Sequence, residues 1–171
     1  MDKILEIVGL KDESKPAPTP ASKATGCSSR EADDLLQGEE AVSYRSATGT
    51  PLYLAQDMPS VVYAVNDAAS GMAQPKKVDW MKICRIARYL QGHGVDVWEF
   101  RYQDKPGKLY EYSDSDWATC KATRKSVTCT AERYGDHLLE MTSARQSIVA
   151  LSSGEAEFYG IVKGVAAGIQ T

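Results

Sequence analysis

The sequence of 171 residues predicts an α+β fold, with a helical first half followed by a small sheet and a closing helix. Three observations support this fold class. Apolar residues recur at helical spacing up to Leu90, alternate with polar residues after Gly94, and return to helical spacing after Ser152. A three-stranded antiparallel meander with a helix packed on it is therefore expected for the second half.

The first 40 residues have the composition of a linker. They carry nine acidic and five basic side chains, and they include three of the seven prolines, Pro16, Pro18 and Pro20. Proline at every second position removes backbone donors and favours extended conformations. We therefore treat residues 1–40 as an acidic, Pro-rich, linker-like segment and expect residues 15–38 to lack regular structure.

Residues 41–94 form the next predicted region, which is helical. A break at Asp57 and Met58 is followed by Pro59, a residue suited to the first turn of a helix. A further helix ends at the glycines of residues 92–94. Its apolar residues follow the spacing i, i+3, i+4, i+7, i+10: Trp80, Ile83, Cys84, Ala87 and Leu90.

The same helix carries a basic flank. Lys82, Arg85 and Arg88 lie away from its apolar stripe. Such a flank contacts a phosphate backbone in some proteins and is simply solvated in many others, and both interpretations stay open.

Residues 95–171 form the third predicted region. A short strand-like run at 95–102 and a turn at 103–107 come first. Alternating residues then predict three strands and a final helix. Their predicted bounds are Leu109 to Ala118, Ser126 to Arg133, Leu138 to Gln146 and, for the helix, Ser152 to Ile169.

Overall composition narrows the function classes. Lys plus Arg number 20 and Asp plus Glu 23, a net charge of −3, so any contact with nucleic acid has to be local. No apolar run approaches the ~18 residues of a membrane span, and the acidic start is unlike a signal peptide. An intracellular protein, cytoplasmic or nuclear and not secreted, is expected, with its four cysteines reduced because no metal or redox spacing joins them.

Two acids interrupt the first predicted strand. Asp114 and Asp116 share a face with Tyr110 and Tyr112, since side chains alternate along a strand. A buried carboxylate needs a compensating partner, and a divalent metal ion is one when a second acid approaches. A position at the strand end, in water, is the alternative.

Two further acids begin the final helix. Glu155 and Glu157 follow Ser152 and Ser153, in first turns where serines cap and acids favour the helix dipole. That capping function is a complete structural explanation. Because successive residues differ by ~100° around a helix, only one of the two acids can readily face a given strand.

Seven segments, in order, resemble the C-terminal part of copia-type LTR retrotransposon polyproteins, where the end of the reverse transcriptase joins the ribonuclease H domain. The resemblance runs from about Leu5 to Ala166. The segments are YRSATG at 44–49, YL at 53–54, YAVN at 63–66, RYLQG at 88–92, YSDSDWA at 112–118, RKS at 124–126 and VALSSGEAEF at 149–158.

The resemblance implies a helical reverse transcriptase tail followed by a truncated ribonuclease H-like fold. It implies metal-dependent cleavage of RNA in RNA:DNA hybrids, with two Mg²⁺ or Mn²⁺ ions held by four carboxylates. Asp114 and Glu157 match two of these acids, and Asp116 and Glu155 become their neighbours. The implied partners are the hybrid and the remainder of the polyprotein.

The match to the family is incomplete. In the family, the other two acids lie on a strand and a helix that would follow Thr171. The chain is therefore expected to be inactive alone. It is also expected to have an exposed strand edge, which favours self-association. A non-catalytic remnant is one alternative. A nucleic-acid-binding module is another, using the helix face from Lys76 to Arg88 and a loop with Lys121, Arg124 and Lys125.

Overall fold

The computed structural model describes residues 2–10, 14–22, 35–94, 96–120 and 123–170. It contains two compact units, Met1–Asp96 and Val97–Thr171. The first unit is helical and the second combines a sheet with one helix, so the α+β class is confirmed. No helix among the described residues is long and apolar enough to cross a membrane.

The described residues of the first unit contain four helices: α1 (Asp2–Val8), α2 (Gly38–Leu54), α3 (Val62–Ala69) and α4 (Lys77–His93). Helix α4 packs against the other three, which explains why more than one of its faces is buried. Helix α1 lies inside the segment that composition predicts to be linker-like. Its Ile4 is fully buried in the core of this unit, together with Tyr44, Val65, Ile83 and Leu90.

Residues 14–22 of the Pro-rich segment have no helix or strand, as predicted. At the other end of the segment expected to lack regular structure, Leu35 forms an isolated bridge with Lys76 and Gly38 begins α2. Residues 14–22 lie along α4 instead of extending freely. Arg85 Nη2 donates to Thr19 Oγ1 (2.8 Å), and Pro16 sits where a Cβ on Gly92 would be. Residues 23–34, also predicted to lack regular structure, lie outside the described residues.

The second unit has the meander that the sequence predicts. Strands β1 (Leu109–Ser115), β2 (Val127–Tyr134) and β3 (His137–Arg145) pair antiparallel in the order β1-β2-β3. Helix α5 (Ser153–Gln170) packs on β1 and β2. The sheet therefore agrees with the predicted strands to within a few residues at each end.

The strand-like run expected at 95–102 is not a strand in its described residues, 96–102. Side chains hold the chain just after it to the β2–β3 turn. Gln103 Nε2 donates to the Tyr134 carbonyl (3.1 Å), and Gln103 Oε1 accepts from Asp136 N (3.0 Å). Gly135 supplies the positive φ of this turn (+62°).

Candidate nucleic-acid and metal site

Asp114 lies near the end of β1, an edge strand whose one partner among the described strands is β2. Its side chain is exposed. The next residue, Ser115, points at α5, because a Cβ on Gly160 would be only 2.6 Å from Ser115 Oγ. Strand alternation therefore places Asp114 on the opposite face of the sheet, with Tyr110 and Tyr112.

Asp116 closes the end of the β1–β2 pair. Its Oδ1 accepts from Val127 N at 2.6 Å, and its backbone N donates to the Val127 carbonyl at 3.1 Å. These bonds give Asp116 a structural function at the strand end.

Glu155 is used at the start of α5. Its Oε2 accepts from Leu151 N (2.7 Å), while its own N donates to Ser152 Oγ (3.1 Å). Both bonds satisfy backbone or hydroxyl groups at a helix N-terminus. Of the two helix acids, Glu155 is therefore the capping residue.

Glu157 lies on the flank of α5 that faces the free edge of β1. The other flank is identified by Tyr159 and Lys163, which line a cavity of about 340 Å³ with β3 residues such as Ala144. At ~100° per residue, Glu157 points about 160° away from Tyr159. The half-buried Glu157 and the exposed Asp114 thus lie near one edge of the sheet, on different sides of it.

The described residues do not by themselves fit a bound metal. Among them, no group of three or more His, Cys, Asp or Glu side chains comes together to hold an ion. Asp114 and Glu157 offer two carboxylates from two elements, whereas a two-metal site needs ligands that clamp both ions roughly 4 Å apart.

Lys82 is buried, contrary to its predicted place on a solvated flank. It is 7% exposed, and its Nζ lies 2.9 Å from Asp67 Oδ2 and 3.3 Å from Asp79 Oδ1. Burial alone would lower the pKa of this ammonium, but the two carboxylates outweigh it and raise the pKa. The physical reason is that α3 packs against α4 on this side.

Arg85 and Arg88 of the same helix are half-buried. Arg85 bonds Thr19 through its guanidinium, and the Arg88 carbonyl accepts from Ala17 N (3.3 Å). The Pro-rich segment therefore lies over part of the flank that was predicted to be exposed, either to solvent or to a phosphate backbone.

Arg124 and Lys125 lie in the β1–β2 connection, at the same end of the sheet as Asp114. Arg124 is exposed and has a positive φ (58°), and its N donates to the Cys120 carbonyl at 2.6 Å. Lys125 is half-buried. Among the cations that the sequence singles out, these two are the ones the structure brings near Asp114.

A row of three glutamates under α5 is visible only once the strand register is known. Glu111, Glu132 and Glu140 occupy directly paired positions on β1, β2 and β3. A Cβ on Gly164 would lie 2.8 Å from Glu111 Cγ, so the helix backbone sits directly over the first member of this row. Burial, then Glu132 and Glu140, raise the pKa of Glu111.

Gln146 is a second residue that sequence reasoning missed. Its Nε2 donates to Thr128 Oγ1 and to the Ala156 carbonyl, both at 2.9 Å, and so ties the sheet to α5. A lone glutamine after a strand carries no pattern that could have identified it.

Comparison with known proteins identifies relatives by sequence. An uncharacterized mitochondrial protein of Arabidopsis thaliana is 32% identical over 118 residues, 67% of this chain and 48% of that protein. The retrovirus-related Pol polyprotein from transposon RE1 of the same plant is 32% identical over 150 residues, 86% of this chain and 10% of the polyprotein. The secreted RxLR effector protein 161 of Plasmopara viticola is 31% identical over 121 residues, 70% of this chain and 84% of the effector.

The chain thus spans about half of the mitochondrial protein and about a tenth of the polyprotein. No model of a known protein family matches it, and no solved structure matches it.

Proposed function

The chain belongs to the family that includes this effector and the retrovirus-related Pol polyproteins of plant transposons, and from that membership we propose a nuclease-derived function for its second unit. Val97–Thr171 is proposed to be a partial ribonuclease H-like domain of copia type that binds RNA:DNA hybrids. Met1–Asp96 is proposed to be the tail of a reverse transcriptase. The proposal assigns no cleavage to the 171-residue chain acting alone.

One observation carries this proposal: Asp114 and Glu157 lie near the same edge of the sheet, Asp114 on the side away from α5 and Glu157 on the side of the helix. Asp116 and Glu155 accept hydrogen bonds from backbone N–H groups at the ends of β1 and α5, which explains their presence. Neither Asp114 nor Glu157 has this structural function. The meander followed by a helix across one face is compatible with a ribonuclease H-like fold. If a longer protein supplies the missing acids, Asp114 and Glu157 would be two of the ligands of Mg²⁺ or Mn²⁺, and the bound metal would supply activation of water.

Hybrid binding is proposed to use the connection between β1 and β2. Exposed Arg124 and its neighbour Lys125 offer two cations beside Asp114, and phosphate contacts of this kind weaken steeply with salt. The basic flank of α4 contributes less, because Lys82 is held by two carboxylates.

The test measures binding and cleavage of one fluorescent RNA:DNA hybrid. The full chain should bind at low salt and release the hybrid as salt rises, with no cleavage in Mg²⁺ or Mn²⁺. Arg124→Gln with Lys125→Gln should weaken binding and flatten the salt slope by about one per lost phosphate contact. The matched control is Lys105→Gln with Lys108→Gln, two exposed lysines ahead of β1.

Equal loss in both double variants would contradict a specific function of the connection. Cleavage by the 171-residue chain that survives Asp114→Asn would contradict the proposed site. If the genomic reading frame continues past Thr171, the extended chain should cleave the hybrid with Mg²⁺, and Asp114→Asn should abolish that cleavage.

A non-catalytic remnant is the second candidate, favoured by the absence of a three-ligand cluster among the described residues. It predicts no hybrid binding by the full chain and no cleavage by any extended form. The two candidates therefore differ in both assays.

A further inference from the structure

Helix α5 packs on the sheet through its smallest residues. Ala156, Gly160 and Gly164 are its buried positions. A Cβ on Gly160 would lie 2.6 Å from Ser115 Oγ and 3.3 Å from Thr128 Cγ2, so the helix backbone itself is in contact with the strands. The sheet face beneath is polar at Ser115, Thr128 and Glu111, and Leu109, 3.4 Å from a Cβ on Gly168, adds an apolar side chain at its end. Most of this face therefore gives large apolar side chains of α5 little apolar surface to cover.

The apolar stripe of α5 consequently faces away from the sheet. Its five members are all at least half exposed: Phe158 (63%), Ile161 (53%), Val162 (50%), Val165 (53%) and Ile169 (80%). At ~100° per residue they fall within an arc of about 100°, on the side of the helix opposite the glycines. Leu151, just before the helix, is 84% exposed and lengthens the patch.

The patch is large enough for a specific interface. At roughly 100 Å² for each apolar side chain, these six residues offer about 500–600 Å². A monomer's largest apolar patch is typically ~300–600 Å² and is often functional. Two such patches facing each other bury about 1,000–1,200 Å² in total, which reaches the ~1,000 Å² expected of a specific protein interface.

The chemistry of the stripe favours a second copy of this chain over other occupants. The stripe contains no Lys or Arg, so it offers nothing to phosphates. A helix that lies on a membrane surface is usually rich in Lys and Arg on its polar face, and Lys163 is the single cation of α5. The spacing i, i+3, i+4, i+7, i+11 gives α5 one continuous apolar face, and the same face of a second copy can cover it.

We propose that two copies of this chain associate through the outward stripes of their α5 helices. The interface is twofold symmetric, so the same side chains meet from both sides. It leaves the free edge of β1 accessible, and it does not depend on the nuclease proposal above.

Sedimentation velocity of the full chain, from 1 to 100 µM, tests the proposal. A monomer–dimer equilibrium is expected within this range. Val165→Glu places a charge in the middle of the stripe and should raise the dimer dissociation constant at least 100-fold. The matched control is Val42→Glu on α2, which is 63% exposed and should leave the dimer unchanged.

Far-UV circular dichroism verifies that Val165→Glu folds, as expected for an exposed position. Association through the β1 edge is the competing arrangement, and Tyr112→Lys blocks it because lysine on an edge strand opposes pairing. A dimer that survives Tyr112→Lys and is lost in Val165→Glu supports the proposal. A monomer at 100 µM, or a dimer unaffected by Val165→Glu, overturns it.

Discussion

Replacing Lys82 by Met tests whether this residue holds the first unit together. The side chain is 8% exposed and lies within 3.3 Å of two carboxylates, Asp67 and Asp79. Removing one partner of a buried ion pair leaves an uncompensated charge and costs about 3–5 kcal/mol. A domain is stable by only ~5–15 kcal/mol, so the variant should lose a large part of that stability.

Urea unfolding followed by circular dichroism at 222 nm reports mainly the helices of the first unit. With an m-value of ~1–3 kcal/mol/M, the loss should lower its midpoint by about 2 M. Lys82→Met with Asp67→Asn should recover part of the loss, since one carboxylate is then neutral. Lys77→Met, at an exposed position of the same helix, should change stability by no more than ~0.5 kcal/mol.

A midpoint shift below 0.5 M for Lys82→Met would refute this reasoning. The two ion pairs would then contribute little to the stability of the first unit. If Lys82→Met and the double variant both lose the helical signal completely, the loss of stability does not come from the charge of Asp67.

Four further variants test the second unit by urea unfolding. Gly160→Ala should destabilise the second unit by about 1 kcal/mol, because overpacking of ~1–3 kcal/mol exceeds the gain in helix propensity. Gly154→Ala should stabilise the unit, because the nearest atom to its new Cβ is 3.9 Å away. Equal effects of the two substitutions would contradict the close approach of α5 to the sheet. Glu111→Gln should raise the urea midpoint at pH 7.5 and leave it unchanged at pH 3.5. The pKa of Glu111 is raised on folding, so its contribution to stability is complete below the unfolded pKa and is lost as pH rises through the folded pKa. No difference between the two pH values would argue against repulsion in the glutamate row. Asp114→Asn should change stability by no more than ~0.5 kcal/mol because Asp114 is exposed, and a larger loss would assign it a structural function.

The order and type of the elements after Gly94 were readable in the sequence because they depend on local patterns. Alternation within ten residues and the turn at Tyr134–Asp136 are enough to place three strands, and the structure agrees within a few residues. Helix α4 was readable for the same reason, since Gly94 ends it. The run at 95–102 shows the limit, because alternating residues form a strand only where a partner strand is available.

Burial of individual polar residues depended on tertiary packing. Helical spacing placed Lys82 on a solvated flank, but α3 covers that flank and supplies Asp67. Composition marked residues 1–40 as linker-like, yet Ile4 of α1 is fully buried in the core. In both cases a distant segment decides whether a side chain meets water.

The candidate site was likewise predictable from the sequence in part only. Capping by Glu155 was foreseeable from the serines before it, and Asp114 was identifiable as an acid within an aromatic strand. Which flank of α5 carries Glu157 to the β1 edge depends on how the helix is rotated about its axis. That rotation follows from the contacts between α5 and the sheet.

Amphipathic spacing established that α5 has one apolar stripe, and the pattern of elements predicts that this helix packs on the sheet. The structure turns the opposite face to the sheet, since Gly160 and Gly164 allow the closest approach to strands that present Ser115, Thr128 and Glu111. Local sequence thus determines which residues share a face of a helix. Only the polarity and shape of the surface it packs on determine which face is buried, because the free energy of burial depends on both partners.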